Sequence, residues 1–276
     1  MIKFLLYVIR IKEKYAKDEI SVYAAQASFF ILLSAFPFIM VLLTAIQLIP
    51  SISKADLLST LVSIMPEMLK STTVSVVDDL FTKSPVKILS LTALLAVWSA
   101  SKGMLSMNRG LNRILGCSGR RGYLLSRLVC TGYTLLFAAA CLISLVLLVF
   151  GNSLQNLVLR LFPVLGNVTF FLINFRTLLA LTILTIIFAG LYAVIPDRKQ
   201  SLWLQLPGAI FSTLCWIGFS YAFSLYFNHF SSYSYMYGSL TAIILLMLWL
   251  YFCICILFLG AEINYFHEKF SACQEK

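Results

Sequence analysis

The chain has 276 residues, 61% of them apolar and 12% charged, with a mean hydropathy of +0.93. Soluble domains carry about a quarter charged residues, so the composition excludes an ordinary soluble enzyme and indicates an all-α polytopic membrane protein of one domain, 1–276, with no room for a sizeable domain outside the bilayer. The formal net charge of +10 would suggest nucleic acid in a soluble chain; in a membrane protein a basic excess is first a topology signal, and no nucleic-acid partner is expected.

Residues 1–20 place Phe4, Val8, Ile11 and Tyr15 at helical spacing, with Lys3, Arg10, Lys14 and Lys17 elsewhere around the wheel. That pattern predicts a helix in the membrane interface, either a simple cytoplasmic-side anchor or a lipid-sensing lever, rather than a cleavable leader. The first span is expected over 24–49, with Pro37 near its middle as a hinge candidate, because proline removes one backbone donor and frees a carbonyl a turn earlier. Gln26, Ser28 and Ser34 add polar atoms to this run, and Ala24 and Ala27 allow close helix contact.

Residues 51–85 alternate apolar faces with Lys54, Lys70 and Lys83, which together with Lys87 just beyond are balanced by four acids, and read as amphipathic helices on the outer surface. The second span, 86–107, leads into Lys102 and then Arg109, Arg113, Arg120, Arg121 and Arg127 with no acidic residue among them. On a continuing helix Lys102, Arg109 and Arg113 share one face. Basic cytoplasmic loops commonly set topology; the sharper alternative is a site for anionic headgroups, making membrane lipids the expected partner.

Further spans are expected over 128–150, 169–195, 202–227 and 238–264. The fifth holds Pro207 and Gly208, hinge candidates, in a small series continued by Ser212 and Cys215 that admits a neighbouring backbone. Residues 226–237 interleave aromatics with serines, as in an interface belt. The last run contains no ionisable group but thiols from Gly238 to Gly260, then closes on Glu262 and Asn264. Six crossings put fifteen of the 21 Lys and Arg on the side of both termini, which are therefore expected in the cytoplasm. Of the seven cysteines, five lie in apolar runs, where they act as small hydrophobes rather than as a disulfide framework.

These motifs resemble the YihY/BrkB family of bacterial membrane proteins. The likeness runs through AAQASFF (24–30) with Ser34-Ala35-Phe36-Pro37, WSASKG (98–103), LYAVIP (191–196), Pro207-Gly208-Ala209, Tyr237-Gly238-Ser239 and GAEIN (260–264), and so covers nearly the whole chain. It implies six helices in the bacterial cytoplasmic membrane. Family members have also been labelled ribonuclease BN, yet a metal-dependent nuclease needs clustered His and carboxylate ligands. Only His229 and His267 are present, and the charge pattern puts them on opposite sides. No catalytic set, metal site or cofactor motif is present, so a non-enzyme is expected.

Ionisable groups inside spans cost roughly 2.5 to 3.5 kcal/mol each at the bilayer centre, which singles out Lys102 and Glu262. The expectation is that they face each other, with Gln26, Asn108, Asn112 and Asn264 nearby, as a polar gate at the inner mouth of the bundle. Both groups also fit a purely structural account, snorkelling to water or fixing helix register. The functional expectation is a transporter or translocator of an amphiphilic, lipid-like or anionic envelope component; the alternative is a scaffold for envelope assembly that moves nothing.

Overall fold

A computed structural model describes residues 13–47, 85–117, 122–149, 169–198, 200–229 and 239–274, with isolated positions between 55 and 78. The expectations for residues 1–12, for the surface helices of 51–85 and for most of the aromatic belt lie outside the described residues. Those residues are helical, with no strand among them. Six long helices fall on the six apolar runs: α1 (Ile20–Gln47), α2 (Pro85–Ile114), α3 (Tyr123–Val149), α4 (Thr169–Val194), α5 (Leu206–His229) and α6 (Ser239–Gln274).

Among the described residues four stretches are long and apolar enough to cross a membrane, at Ile20–Leu42, Tyr123–Ala140, Trp203–Tyr226 and Ile243–Lys269, and α4 adds a shorter apolar stretch, Leu181–Val194. These segments bury between 11 and 33% of their membrane-length windows against the rest of the protein. The remainder presents large side chains outward, among them Leu124, Leu128 and Leu136 of α3, Ile186 of α4 and Leu214 of α5. Apolar faces this extensive require hydrocarbon as their solvent.

Two element boundaries differ from the sequence reading in ways that matter. α2 continues well past the apolar run, because Asn108 to Ile114 contains no proline, its one glycine packs against Phe258, and every residue but Arg109 and Arg113 is buried. It stops at Gly116, whose φ of +66° closes a Schellman turn: the Gly116 amide donates to the Arg113 carbonyl at 3.2 Å and the Cys117 amide to the Asn112 carbonyl at 2.8 Å. A Cβ at Gly116 would meet nothing within 4 Å, so Gly116→Ala isolates the cost of the left-handed backbone. It is expected to lower unfolding free energy by about 1 kcal/mol, and Gly116→Asn by less, as read from denaturant midpoints in detergent.

α6 likewise runs on beyond Asn264 to Gln274, so Glu262 and Asn264 lie within a helix rather than at its end. No glycine or proline follows Gly260 to stop it. Pro207 is also placed differently from a mid-span hinge. It is the second residue of α5, after a 3-10 turn at Trp203–Gln205, where a missing amide breaks no helical hydrogen bond. Pro37 does lie inside α1.

The chain divides into two compact units where the sequence shows no punctuation. One comprises 33–101 and 131–173, and includes the second half of α1 with Pro37 and the first half of α2. There Ser101 donates to the Trp98 carbonyl at 3.2 Å, folding its hydroxyl back onto its own helix.

The other unit comprises 1–32, 102–130 and 174–276 and contains a continuous core of Ile20, Ala24, Ala27, Leu111, Ile114, Phe188, Tyr192, Ala209, Leu257 and Phe258 with their neighbours. Phe188 stacks on Tyr192, and Trp216 bridges Phe188 to Trp249 with ring centroids 5.1 and 6.0 Å away. Small residues set the helix spacing. Gly110 stands against the Phe258 ring, and Gly103 against Ile31.

Candidate functional site

The candidate site lies in the second of these units, whose interior is polar. Beside the apolar core, Ser106, Asn108, Asn112, Gln205, Ser212, Glu262 and Asn264 are all buried, while other leucines and isoleucines, Ile186 and Leu214 among them, face outward. In a hydrocarbon solvent every one of these groups must find its partner inside the protein. Four sets of contacts provide partners for most of them.

First, α2 holds the segment after α4. Proline at 196 ends α4, and the turn it leaves is bound by two asparagines one helical turn apart. Asn108 donates to the Ile195 carbonyl at 2.6 Å, Asn112 donates to Asn108 Oδ1 at 3.1 Å, and the Asp197 amide donates to Asn112 Oδ1 at 2.8 Å. Beyond the turn, Arg198 pairs with Glu268 of α6 at 2.9 Å.

Second, α6 holds the start of α5. The first amides of a helix lack partners within it; here Asn264 accepts from the Gly208 amide at 2.7 Å and donates to the Gln205 carbonyl at 3.1 Å. The two helices touch through backbone at this point. A Cβ on Gly260 would lie 2.5 Å from Tyr192 Oη and 2.7 Å from the Gly208 carbonyl, and would overlap Ser212 Oγ.

Third, Tyr192 of α4 closes that seam by donating to the Leu257 carbonyl at 2.8 Å. The Ser212 hydroxyl, 2.7 Å from Tyr192 Oη, is left to donate to it or to the Ile256 carbonyl at 3.2 Å. The small residues Gly208 and Ser212 therefore serve the close approach that their spacing suggested.

Fourth, the short helical segment at 13–17 turns through Glu19, which adopts φ of 53°, into α1 and folds back over α2 and α6. Lys14 pairs with Asp18, donates to the Ile114 carbonyl at 2.9 Å and lies 4.5 Å from the centroid of the Tyr265 ring. Arg113 approaches the other Asp18 oxygen at 3.9 Å. Burial, and then a hydrogen bond to Cys255, push the Tyr15 phenol above its ordinary range.

The sequence-selected residues thus divide. Asn108 and Asn112 bind each other, Asn264 binds the start of α5, and Gln26 accepts from Ser106 at 3.2 Å. Arg109 lies over the Tyr123 ring at 5.6 Å, and Arg109 and Arg113 are both exposed. Lys102 sits with its ammonium 5.0 Å from the Phe30 ring centroid. Glu262 is fully buried, and neither of its oxygens has a hydrogen-bond partner among the described residues. The charged groups acting on it are Lys14 and Asp18. Lys14, Asp18, Tyr192 and Gln205 were not selected from sequence. The four-residue spacing of Lys14 and Asp18 and the lone phenol in the run before Pro196 were the available signals.

Among the described residues no three His, Cys, Asp or Glu gather as a metal site. Apolar helices with polar, hydrogen-bonded interiors define a multi-pass helical membrane protein. The chain belongs to the Virulence factor BrkB family, whose profile matches residues 11–276. A ribonuclease-like protein, YfkH, of Bacillus subtilis is 33% identical over 244 residues, covering 87% of each chain. UPF0761 membrane proteins of Pseudoalteromonas atlantica and Psychromonas ingrahamii are each 24% identical. The first covers 92% of this chain and 84% of the relative, and the second 99% and 90%. No solved structure matches the chain.

Proposed function

We propose that the protein crosses the bacterial inner membrane six times, with both termini in the cytoplasm, and translocates an amphiphile with an anionic head, a lipid or envelope precursor. The observation that carries this reading is the polar interior built from α2, α5 and α6, beside the exposed guanidinium groups of Arg109 and Arg113. Such an arrangement offers an anionic headgroup a cationic landing point next to polar groups inside an apolar bundle. It needs no catalytic group, and the ribonuclease-like description of YfkH is not carried over to this chain.

A second reading, a scaffold that moves nothing, is favoured by one specific observation. The α5–α6 seam is closed by backbone contact at Gly208 and Gly260 and filled further along by Trp216 and Trp249, whose indole donates to Ser220 at 3.3 Å. Reconstitution with labelled anionic and zwitterionic lipids separates the two. Translocation predicts flux of the anionic lipid above empty vesicles, reduced about thirtyfold by Arg109→Ala combined with Arg113→Ala, since two headgroup contacts of about 1 kcal/mol each near the surface would be lost. Flux equal to empty vesicles leaves the scaffold.

A further inference from the structure

Glu262 differs from the buried asparagines and tyrosine around it in having both of its side-chain oxygens without a hydrogen-bond partner among the described residues. Asn108, Asn112, Asn264 and Tyr192 each have named hydrogen-bond partners, whereas both Glu262 oxygens are sealed from solvent and unbonded. A buried carboxylate without donors is among the costliest arrangements a protein can hold. Its retention among asparagines and a tyrosine that are each hydrogen-bonded indicates a ligand.

The surroundings restrict what that ligand is. A metal cation requires several oxygen ligands at once, and no acidic or thiol cluster of that kind forms among the described residues. The carboxyl has no exposed surface through which a larger cation could be seated. A proton requires neither a cavity nor further ligands.

The neighbouring charges supply the rest of the device. Facing Glu262 from the segment before α1 are Lys14, Tyr15 and Asp18. Arg113, at the end of α2, reaches Asp18. From α4, Tyr192 lies at Gly260, half a turn before Glu262. α5 brings Gly208 and Ser212 to that side of α6, neither of them titratable. On α6 itself Tyr265 follows by three residues, and its ring carries the Lys14 ammonium. Lys14 is thus seated on the residue about one helical turn along α6 from Glu262, while bonded to Asp18 and the Ile114 carbonyl.

We infer that Glu262 is a proton-binding site and that Lys14 is its alternating counter-ion, held by Asp18 when the proton is on Glu262 and drawn to Glu262 when it leaves. In that step the O–H bond of the carboxyl breaks, the electron pair stays on Glu262, and the proton is taken up by water that reaches the carboxyl as the segment at 13–17 shifts. Lys14 then releases the Ile114 carbonyl, which ties proton occupancy to the contact between the segment at 13–17 and the end of α2. The inference stands whatever the protein moves, because a bound proton is measurable without transport.

Infrared difference spectra of the full chain in lipid nanodiscs, recorded across a pH titration in H2O and D2O, test it. A protonated-carboxyl carbonyl band that shifts in D2O, titrates, and vanishes in Glu262→Gln is expected. Lys14→Met, which removes a positive neighbour, should raise proton affinity about tenfold, and Asp18→Asn should lower it by a similar factor. These two variants keep Glu262 and serve if Glu262→Gln does not assemble. A band that survives Glu262→Gln, or a midpoint unmoved by both Lys14→Met and Asp18→Asn, overturns the inference. So does a carboxylate that stays ionised throughout and responds only to added sodium.

Discussion

Gly260→Ala is expected to be, with Gly208→Ala, among the most damaging single-methyl changes at the described glycines. The added carbon would lie 2.5 Å from Tyr192 Oη and 2.7 Å from the Gly208 carbonyl and would overlap Ser212 Oγ. Two of these atoms belong to a hydrogen-bonded pair that also holds the carbonyls of α6, and the third is backbone, so no flexible side chain can yield. Overpacking costs about 1 to 3 kcal/mol where neighbours give way; here α5 and α6 must separate, and a loss of at least about 3 kcal/mol is expected. Ser212→Ala in the same chain should restore only part of it, because the Gly208 carbonyl remains in the way. Gly218, also on α5, is the control: a Cβ there meets nothing within 4 Å, and Gly218→Ala should be neutral or slightly stabilising. Denaturant unfolding in mixed micelles, following near-UV dichroism, measures all three. Equal midpoints for Gly260→Ala and Gly218→Ala would mean that the close crossing does not support the fold.

Asn264→Ala is expected to cost about 2 to 6 kcal/mol, since it leaves both the Gly208 amide and the Gln205 carbonyl without partners at about 1 to 3 kcal/mol for each buried group. Asn264→Asp should be no better. It keeps the acceptor for Gly208 but loses the donor and sets a carboxylate oxygen against the Gln205 carbonyl. The loss should be local before it is global. Amide hydrogen exchange should accelerate across 203–210 with little change in the first turns of α1, and uniform acceleration would show instead that Asn264 supports the whole unit rather than the start of α5.

How much of this was legible in the chain differs from residue to residue. The apolar runs marked the helices because a membrane-length stretch such as Ile243–Lys269 leaves few alternatives, and Gly208 with Ser212 marked a close crossing because only small residues permit one. Helix ends were harder. Hydropathy reports solvent, not hydrogen bonding, so it says nothing of where α2 and α6 stop once they leave the apolar stretch. The cost of placing charge in a span drew attention to Lys102 beside Glu262. The lysine whose charge acts on Glu262 is Lys14, from a segment that sequence alone reads as lying flat on the membrane. That contact joins residues nearly the full length of the chain apart and depends on the turn at Glu19, where an ordinary residue adopts a left-handed conformation without a glycine to announce it. Tyr192 was hidden for a related reason: a phenol in an apolar run gives no sign of which backbone it will bind.

The polar contacts of α6 have one more consequence, for biosynthesis. Asn264 binds the backbone of the turn before α5, Leu257 receives the phenol of α4, and Glu268 meets the guanidinium of Arg198, so these partners have all left the ribosome before α6 does. Until that helix arrives, the start of α5, the tyrosine and the arginine must be accommodated by lipid headgroups, water or the insertion machinery. Closure of the interior is therefore a late, post-insertion event, and a chain stalled before α6 should be an early target for membrane quality-control proteases.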